Sequence, residues 1–232
     1  MKRINLIKYT SLFASLITIL TAIAVIYLER TNFISQIRNL IFSENKTVVD
    51  TTAIHDTTAI AIPDSITSKL NVIKNFYPSG YIGDASLEKY VQINNYYNIK
   101  PYSEPSCVQV VYNRGSMGWA GIYWQTNANN WGDNPGIDLS NKGYNKISFW
   151  VKGEKGGEVV EFKAGGITGK KYKDSFSVST GRIVLSNKWQ KYIIPIKNKN
   201  LSNVIGAFCW ISTSIQNPAG LTFYLDDVFY EY

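Results

Sequence analysis

The residues best equipped for chemistry lie in one run, WAGIYWQTNANNWG, from Trp119 to Gly132, with three tryptophans, one tyrosine and four side-chain amides in fourteen positions. Buried strands favour aliphatic residues and plain surface loops favour charge, so this mixture needs another explanation. Flat rings beside amide donors and acceptors suit a neutral polar ligand with apolar faces. A sugar ring is such a ligand, with C–H bonds forming its faces and hydroxyls its rim. The expectation centres on Trp131, which follows Asn127, Asn129 and Asn130 and precedes Gly132, a turn composition that keeps a large ring near solvent. Tyr123 and Trp119 extend the platform, Gln125, Asn129 and Asn130 bond the hydroxyl rim, and Trp150 joins from a neighbouring strand. Tryptophan is also a good core filler, so packing under a loop or a sheet edge stands as the alternative for each ring.

Carboxylates offer a second chemistry. Asp226-Asp227 interrupt an apolar terminal run, FYLDDVFY, and burying them needs a cation or hydrogen bonds. A structural calcium ion, which takes roughly six to eight hard oxygens, is expected there, with Asp226 as ligand and Asp84 in YIGDAS as a second. The alternative has one Asp facing solvent and the other capping a turn.

Catalysis finds no footing. His55 is the one histidine and lies in a linker-like repeat, which removes Ser-His-Asp and Cys-His arrangements. Glu158 and Glu161 are three apart and point to opposite faces of a strand, so they do not pair across a cleft. GGITGKK departs from phosphate-loop spacing, and Lys171 stands where a Ser or Thr is required. Two cysteines, Cys107 and Cys209, with no C-x-x-C, exclude an ordinary Cys/His zinc site. Export makes a disulfide between them possible, and two buried thiols are the other reading. No catalytic residue is expected, and the chain reads as a non-enzyme.

The elements that must position these residues come after a separate N-terminal part. Residues 9–28, YTSLFASLITILTAIAVIYL, are uncharged and long enough as a helix to cross a bilayer. Lys2, Arg3 and Lys8 precede them, which places the N-terminus in the cytoplasm and the rest of the chain outside. Ala22-Ile-Ala24 fits a signal-peptide cleavage site, but the apolar run continues past it, which favours a retained single-pass anchor over a secreted product. Residues 31–75, with DTTAI at 50–54 and again at 56–60, read as a stalk.

From about residue 76 the texture is that of short strands. Apolar runs at 107–112, 120–124, 146–152, 159–164, 182–185, 191–196, 207–212 and 221–229 are separated by Gly, Asn, Pro and Asp clusters. About eight such runs predict an all-β sandwich or barrel. Alternation puts Ala120, Ile122 and Trp124 on the inner face of one strand, with Trp119, Tyr123 and Gln125 on the other. Ile147, Phe149 and Val151, and likewise Val160, Phe162 and Ala164, form further inner faces. The 24 basic residues are scattered, which suits solvated faces and edge protection and excludes a nucleic-acid partner.

WAGIYWQTNANNWG, KISFWVKGEKGGEVVEFKAGG, KWQKYIIPI and FYLDDVFY together resemble carbohydrate-binding modules of the galactose-binding-like jelly-roll type, over residues 76–232. The resemblance implies two packed antiparallel sheets in a jelly roll. It also implies a structural calcium, with an acidic residue commonly at the Asp226 position, and a glycan site on the concave face or in the end loops. The function it implies is a non-catalytic, cell-surface domain recognising a polysaccharide or glycan. The alternatives are a structural protein packing against other envelope subunits, or an accessory subunit holding an enzyme at the membrane.

Overall fold

A computed structural model describes residues 69–87 and 89–232; the expected membrane span, the repeat around His55 and most of the stalk lie outside these residues. Among the described residues no helix is long and apolar enough to cross a membrane.

The eight apolar runs become eight of the eleven strands found among the described residues. In chain order they are β1 (Leu70–Asn71), β2 (Tyr77–Gly83), β3 (Val91–Tyr97), β4 (Cys107–Tyr112), β5 (Trp119–Gln125) and β6 (Lys146–Gly153). There follow β7 (Val159–Gly165), β8 (Ser177–Val184), β9 (Gln190–Pro195), β10 (Gly206–Thr213) and β11 (Leu221–Glu231). A single turn of helix, α1 (Val72–Asn75), links the first two strands and is capped by the Asn71 side chain.

The strands form a two-sheet jelly-roll sandwich. The first sheet runs β3-β4-β11-β6-β9, with β1 also paired to β11; the second runs β2-β5-β10-β7-β8. Every strand pair is antiparallel. Between the sheets the three inner faces expected from alternation are all buried. Their rings interlock: Phe149 meets Phe162 at 4.8 Å and Phe208 at 5.1 Å, and Trp124 closes on Phe208 at 6.0 Å. Burying each such ring is worth about 1.5–3 kcal/mol, which makes this layer the main source of stability.

The domain begins earlier than expected. Residues 69–75 belong to the sandwich and not to a stalk, since Leu70 pairs with Tyr230 and Val72 is buried. A two-residue strand has no period to read, and a single helical turn has no stripe. The strands β2 and β3 were also invisible to pattern, because their Pro78, Gly80 and Asn94-Asn95 break the apolar alternation.

β11 is the organising strand. Its first half pairs with β4 through Leu221–Leu225, its end pairs with β1, and from Phe223 to Glu231 β6 lies on the other side. A bulge at Asp226/Phe229 separates the halves, with Asp227 in the left-handed region at φ 49°.

Candidate functional site

The aromatic-amide run starts as expected, on the face of β5 turned away from the core, and then folds in on itself. Gln125 is fully buried, donating from Nε2 to the Asn130 carbonyl at 2.9 Å and accepting from the Ser79 hydroxyl at 3.0 Å. Asn130, 1 % exposed, accepts from the Gly132 and Asn134 amides through Oδ1 and donates to the Asn134 carbonyl. The amides therefore tie their own loop. Tyr123 is also buried, in a small cluster with Ile167, Ile205 and Cys209. Burial pushes its hydroxyl pKa well up. Trp131 is half-buried and meets the Tyr123 ring edge-on at 6.0 Å.

A second loop clamps this cover. The Tyr172 amide donates to the Gly132 carbonyl at 2.9 Å, and Lys170 pairs with Asp133 at 2.6 Å. Tyr123, Gln125 and Asn130, expected to face a ligand, are buried instead: alternation gives their side of the sheet, but Gln125 and Asn130 bond within their own loop, and a loop distant in sequence packs with Tyr123. Asn129 is exposed at φ 58°, with its amide held by the Ser79 hydroxyl. Trp119 is exposed at one end of the same sheet, against Gly83.

Trp150 lies elsewhere, on the outer face of the first sheet, and it has company. The Tyr102 ring stacks on it at 3.8 Å between centroids and 16° between planes. Trp189 meets Tyr102 edge-on at 6.1 Å. The Lys152 ammonium sits 5.1 Å from the Trp189 ring and 4.8 Å from that of Tyr224, and Tyr97 packs on Tyr224 at 5.0 Å. The register explains the grouping: Tyr224 lies opposite Lys152 and Gln109, and Trp150 lies opposite Asp226 and Lys191. Five rings, one ammonium and the Gln109 amide so share one sheet face.

The loop between β3 and β4 brings Tyr102 to that face, and Asp226 holds the loop there. Its Oδ2 accepts from the Tyr102 amide at 3.0 Å and the Ser103 amide at 2.9 Å, while Oδ1 accepts from the Asp227 amide. The Ser103 hydroxyl donates to Asp227, and Trp189 Nε1 donates to the Lys100 carbonyl at 3.3 Å. Burial raises the Asp226 pKa despite these donors.

Asp84 plays the same part at another loop. Its carboxylate accepts from the Tyr112 hydroxyl at 2.8 Å and from the amides of Gly115, Met117 and Gly118 at 3.0, 2.8 and 3.1 Å. Burial alone would raise its pKa; the donors, led by Met117, bring it below the ordinary carboxylate value. These residues do not fit the expected calcium ion. A calcium ligand turns its lone pairs to the cation, whereas those of Asp84 and Asp226 already face N–H and O–H groups, in two different loops. Nor do three or more His, Cys, Asp or Glu side chains gather elsewhere among the described residues. Cys107 and Cys209 are free, buried thiols in β4 and β10, strands of different sheets. Burial, with Asp226 nearby, pushes the Cys107 pKa up to about 11.

A family model described as carbohydrate binding domain 30 matches residues 69–231. The chain belongs to this family. A family 11 carbohydrate-binding module from Clostridium thermocellum, solved in complex with a β-1,3-1,4-mixed-linked tetrasaccharide, is similar at 14 % identity over 70 % of this chain and 94 % of that one, with a TM-score of 0.49. The family 30 module of a cellulosomal cellulase of Clostridium thermocellum is similar at 17 % identity over 60 % of this chain and 80 % of that one, with a TM-score of 0.41. A search of curated proteins found no match.

Sequence reasoning on this family 30 domain named Trp150 as a candidate but not the side chains gathered around it, Tyr97, Tyr102, Trp189, Tyr224 and Lys152. Alternation in FYLDDVFY and KISFWVK could have placed Tyr224 and Lys152 beside Trp150, since all three sit at outward positions. Tyr102 stands in an aperiodic loop, PYSEP, which carries no such signal.

Proposed function

We propose that residues 69–231 act as a non-catalytic glycan-binding domain, displayed outside the cell membrane by the N-terminal segment, with the Tyr102–Trp150–Trp189 cluster as its platform. The observation that carries the proposal is the Tyr102–Trp150 stack. Tyr102, 43 % exposed, offers a ring already fixed in orientation by the tryptophan beneath it and by the Asp226-bound loop. A pyranose lays its C–H face on such a ring without further ordering of the protein, while Lys152 and Gln109 supply donors for its hydroxyls. Family membership supports a carbohydrate ligand, and the uncharged run at 9–28 behind Lys2, Arg3 and Lys8 supports membrane display.

The experiment is retardation of the full-length chain, with detergent to keep residues 9–28 in solution, in gels containing neutral β-glucan, xylan, galactan or mannan. Tyr102→Ala and Trp150→Ala are expected to bind about tenfold more weakly at a similar melting temperature, as roughly 1.5 kcal/mol of ring contact is removed. Retardation unchanged in both variants refutes the platform.

A second reading, assembly with other envelope proteins, rests on one end of the sandwich. There Leu87, Met117, Trp119 and Ile215 are 50, 60, 38 and 91 % exposed. Backbone bonds from Leu87 to Asp84, Met117 to the Asp84 carboxylate and Ser214 to Gly118 bring their loops together. Sedimentation decides it: self-association that Ile215→Ser abolishes favours assembly.

A further inference from the structure

The first sheet has a gap. β4 leaves β11 after Leu225 and β1 joins it at Phe229, so the intervening residues on that edge belong to neither ladder. A cavity of ≈ 700 Å³ opens there, within the size range of small-ligand sites. Its walls include the Tyr96 and Phe229 rings and Pro105, and its polar groups include Asn95, Asp227 and Lys74.

Three features mark this cavity. Asn95 Oδ1 is buried and receives no hydrogen bond from the described residues, an arrangement that calls for a donor. Asp227 holds a left-handed backbone, a conformation disfavoured for a residue with a Cβ. Tyr96 stands 83 % exposed at the rim, a ring that the core never claims. A neighbouring register shift between Asn94 and Tyr97 turns Asn95 and Tyr96 toward the opening.

We infer that this cavity receives the terminal sugar residue of a glycan chain lying on the Tyr102–Trp150 platform. The occupant as a saccharide rests on the glycan-binding reading above. Hydroxyl donors match the Asp227 carboxylate and, once the Asn95 side chain rotates to turn its buried, unpaired oxygen into the cavity, that acceptor as well; C–H faces match Tyr96, Phe229 and Pro105. Asp226, Asp227 and Glu104 on the lining disfavour an anion. Continuity supports the direction: Tyr102 is on the platform and the adjacent Ser103 lines the cavity.

Two variants test the inference, with the neutral polysaccharide that retards the protein most and the tetrasaccharide cut from it as probes. Asn95→Leu removes the unpaired acceptor and puts an apolar side chain in its place, so its melting temperature is expected to hold or rise. Tyr96→Ala removes an exposed ring and leaves the fold untouched. Each is expected to weaken tetrasaccharide binding about tenfold, by calorimetry, while retardation by the long polymer falls less than threefold. Tetrasaccharide affinity unchanged in Tyr96→Ala overturns the inference, whether or not Asn95→Leu folds. The platform reading is judged separately by Trp150→Ala: loss there with no change in the cavity variants leaves the platform standing and removes the cavity. A protein that no polysaccharide retards removes both.

Discussion

Replacing Asp84 with Asn keeps the shape of the side chain and removes its charge. In the native domain four donors converge on that carboxylate, three of them backbone amides of the turn at residues 115–118. Hydrogen bonds to an ionised acceptor are worth about 1.5–3 kcal/mol each, against about 1 kcal/mol for neutral pairs. An amide also turns an NH₂ group toward at least one N–H, leaving that donor buried without a partner. The loss should come to about 3 kcal/mol, equal to a fall in melting temperature of roughly 6–12 °C for a domain of this size. Tyr112→Phe, which removes one donor of the four, should cost about 1 kcal/mol. The pH dependence gives an independent reading. The folded Asp84 pKa is depressed, so its stabilisation is complete above the unfolded value near 3.9 and is lost as pH falls through the folded value. Melting curves by circular dichroism from about pH 6 down to about pH 3 should therefore show a shallower acid limb for Asp84→Asn than for the native chain. A chelator should leave the native curve in place, because the lone pairs of this carboxylate already face four protein donors. A melting temperature within 2 °C of native for Asp84→Asn, or a large drop on adding chelator, would refute the reasoning.

Two further outcomes are expected. Gly132→Ala drives a Cβ into the Tyr172 carbonyl at φ +101°, so the cover over Tyr123 should loosen at a cost of about 1–3 kcal/mol while the proposed glycan binding on the opposite sheet stays unchanged; weakened binding would show that the site lies under Trp131 instead. Thiol titration at pH 8 should find both cysteines unreactive in the folded protein and two thiols after denaturation, as burial pushes Cys107 up to about 11 and Cys209 well above its ordinary value; a native titre of one or more refutes this.

The sequence carried the sandwich because core strands announce themselves: Val160, Phe162 and Ala164, or Ile147, Phe149 and Val151, leave a period of two that only a half-buried strand explains. It carried much less of the candidate site, since exposure there is decided by loops. Tyr123 and Trp150 look alike in sequence, each outward on a strand. One is roofed by a segment more than forty residues downstream, through the Tyr172–Gly132 bond; the other is half-covered by the single ring of Tyr102, which itself faces solvent. The acids misled for a related reason. Asp84 and Asp226 do compensate buried polar groups, as their setting demanded, but the partners are backbone amides, which every residue has and no motif records.

The pairing of β1 with the end of β11 has one more consequence. Lys69 reaches Glu231 at 2.6 Å, so the polypeptide comes into this domain and leaves it at a single point. Such a body behaves as a cassette: a host loop could accept it with short linkers on either side, and neither host nor guest would need to stretch. For the same reason the old ends can be joined by a few glycines and new ones cut at an exposed turn such as Gly156-Gly157, giving a circular permutant with the same two sheets.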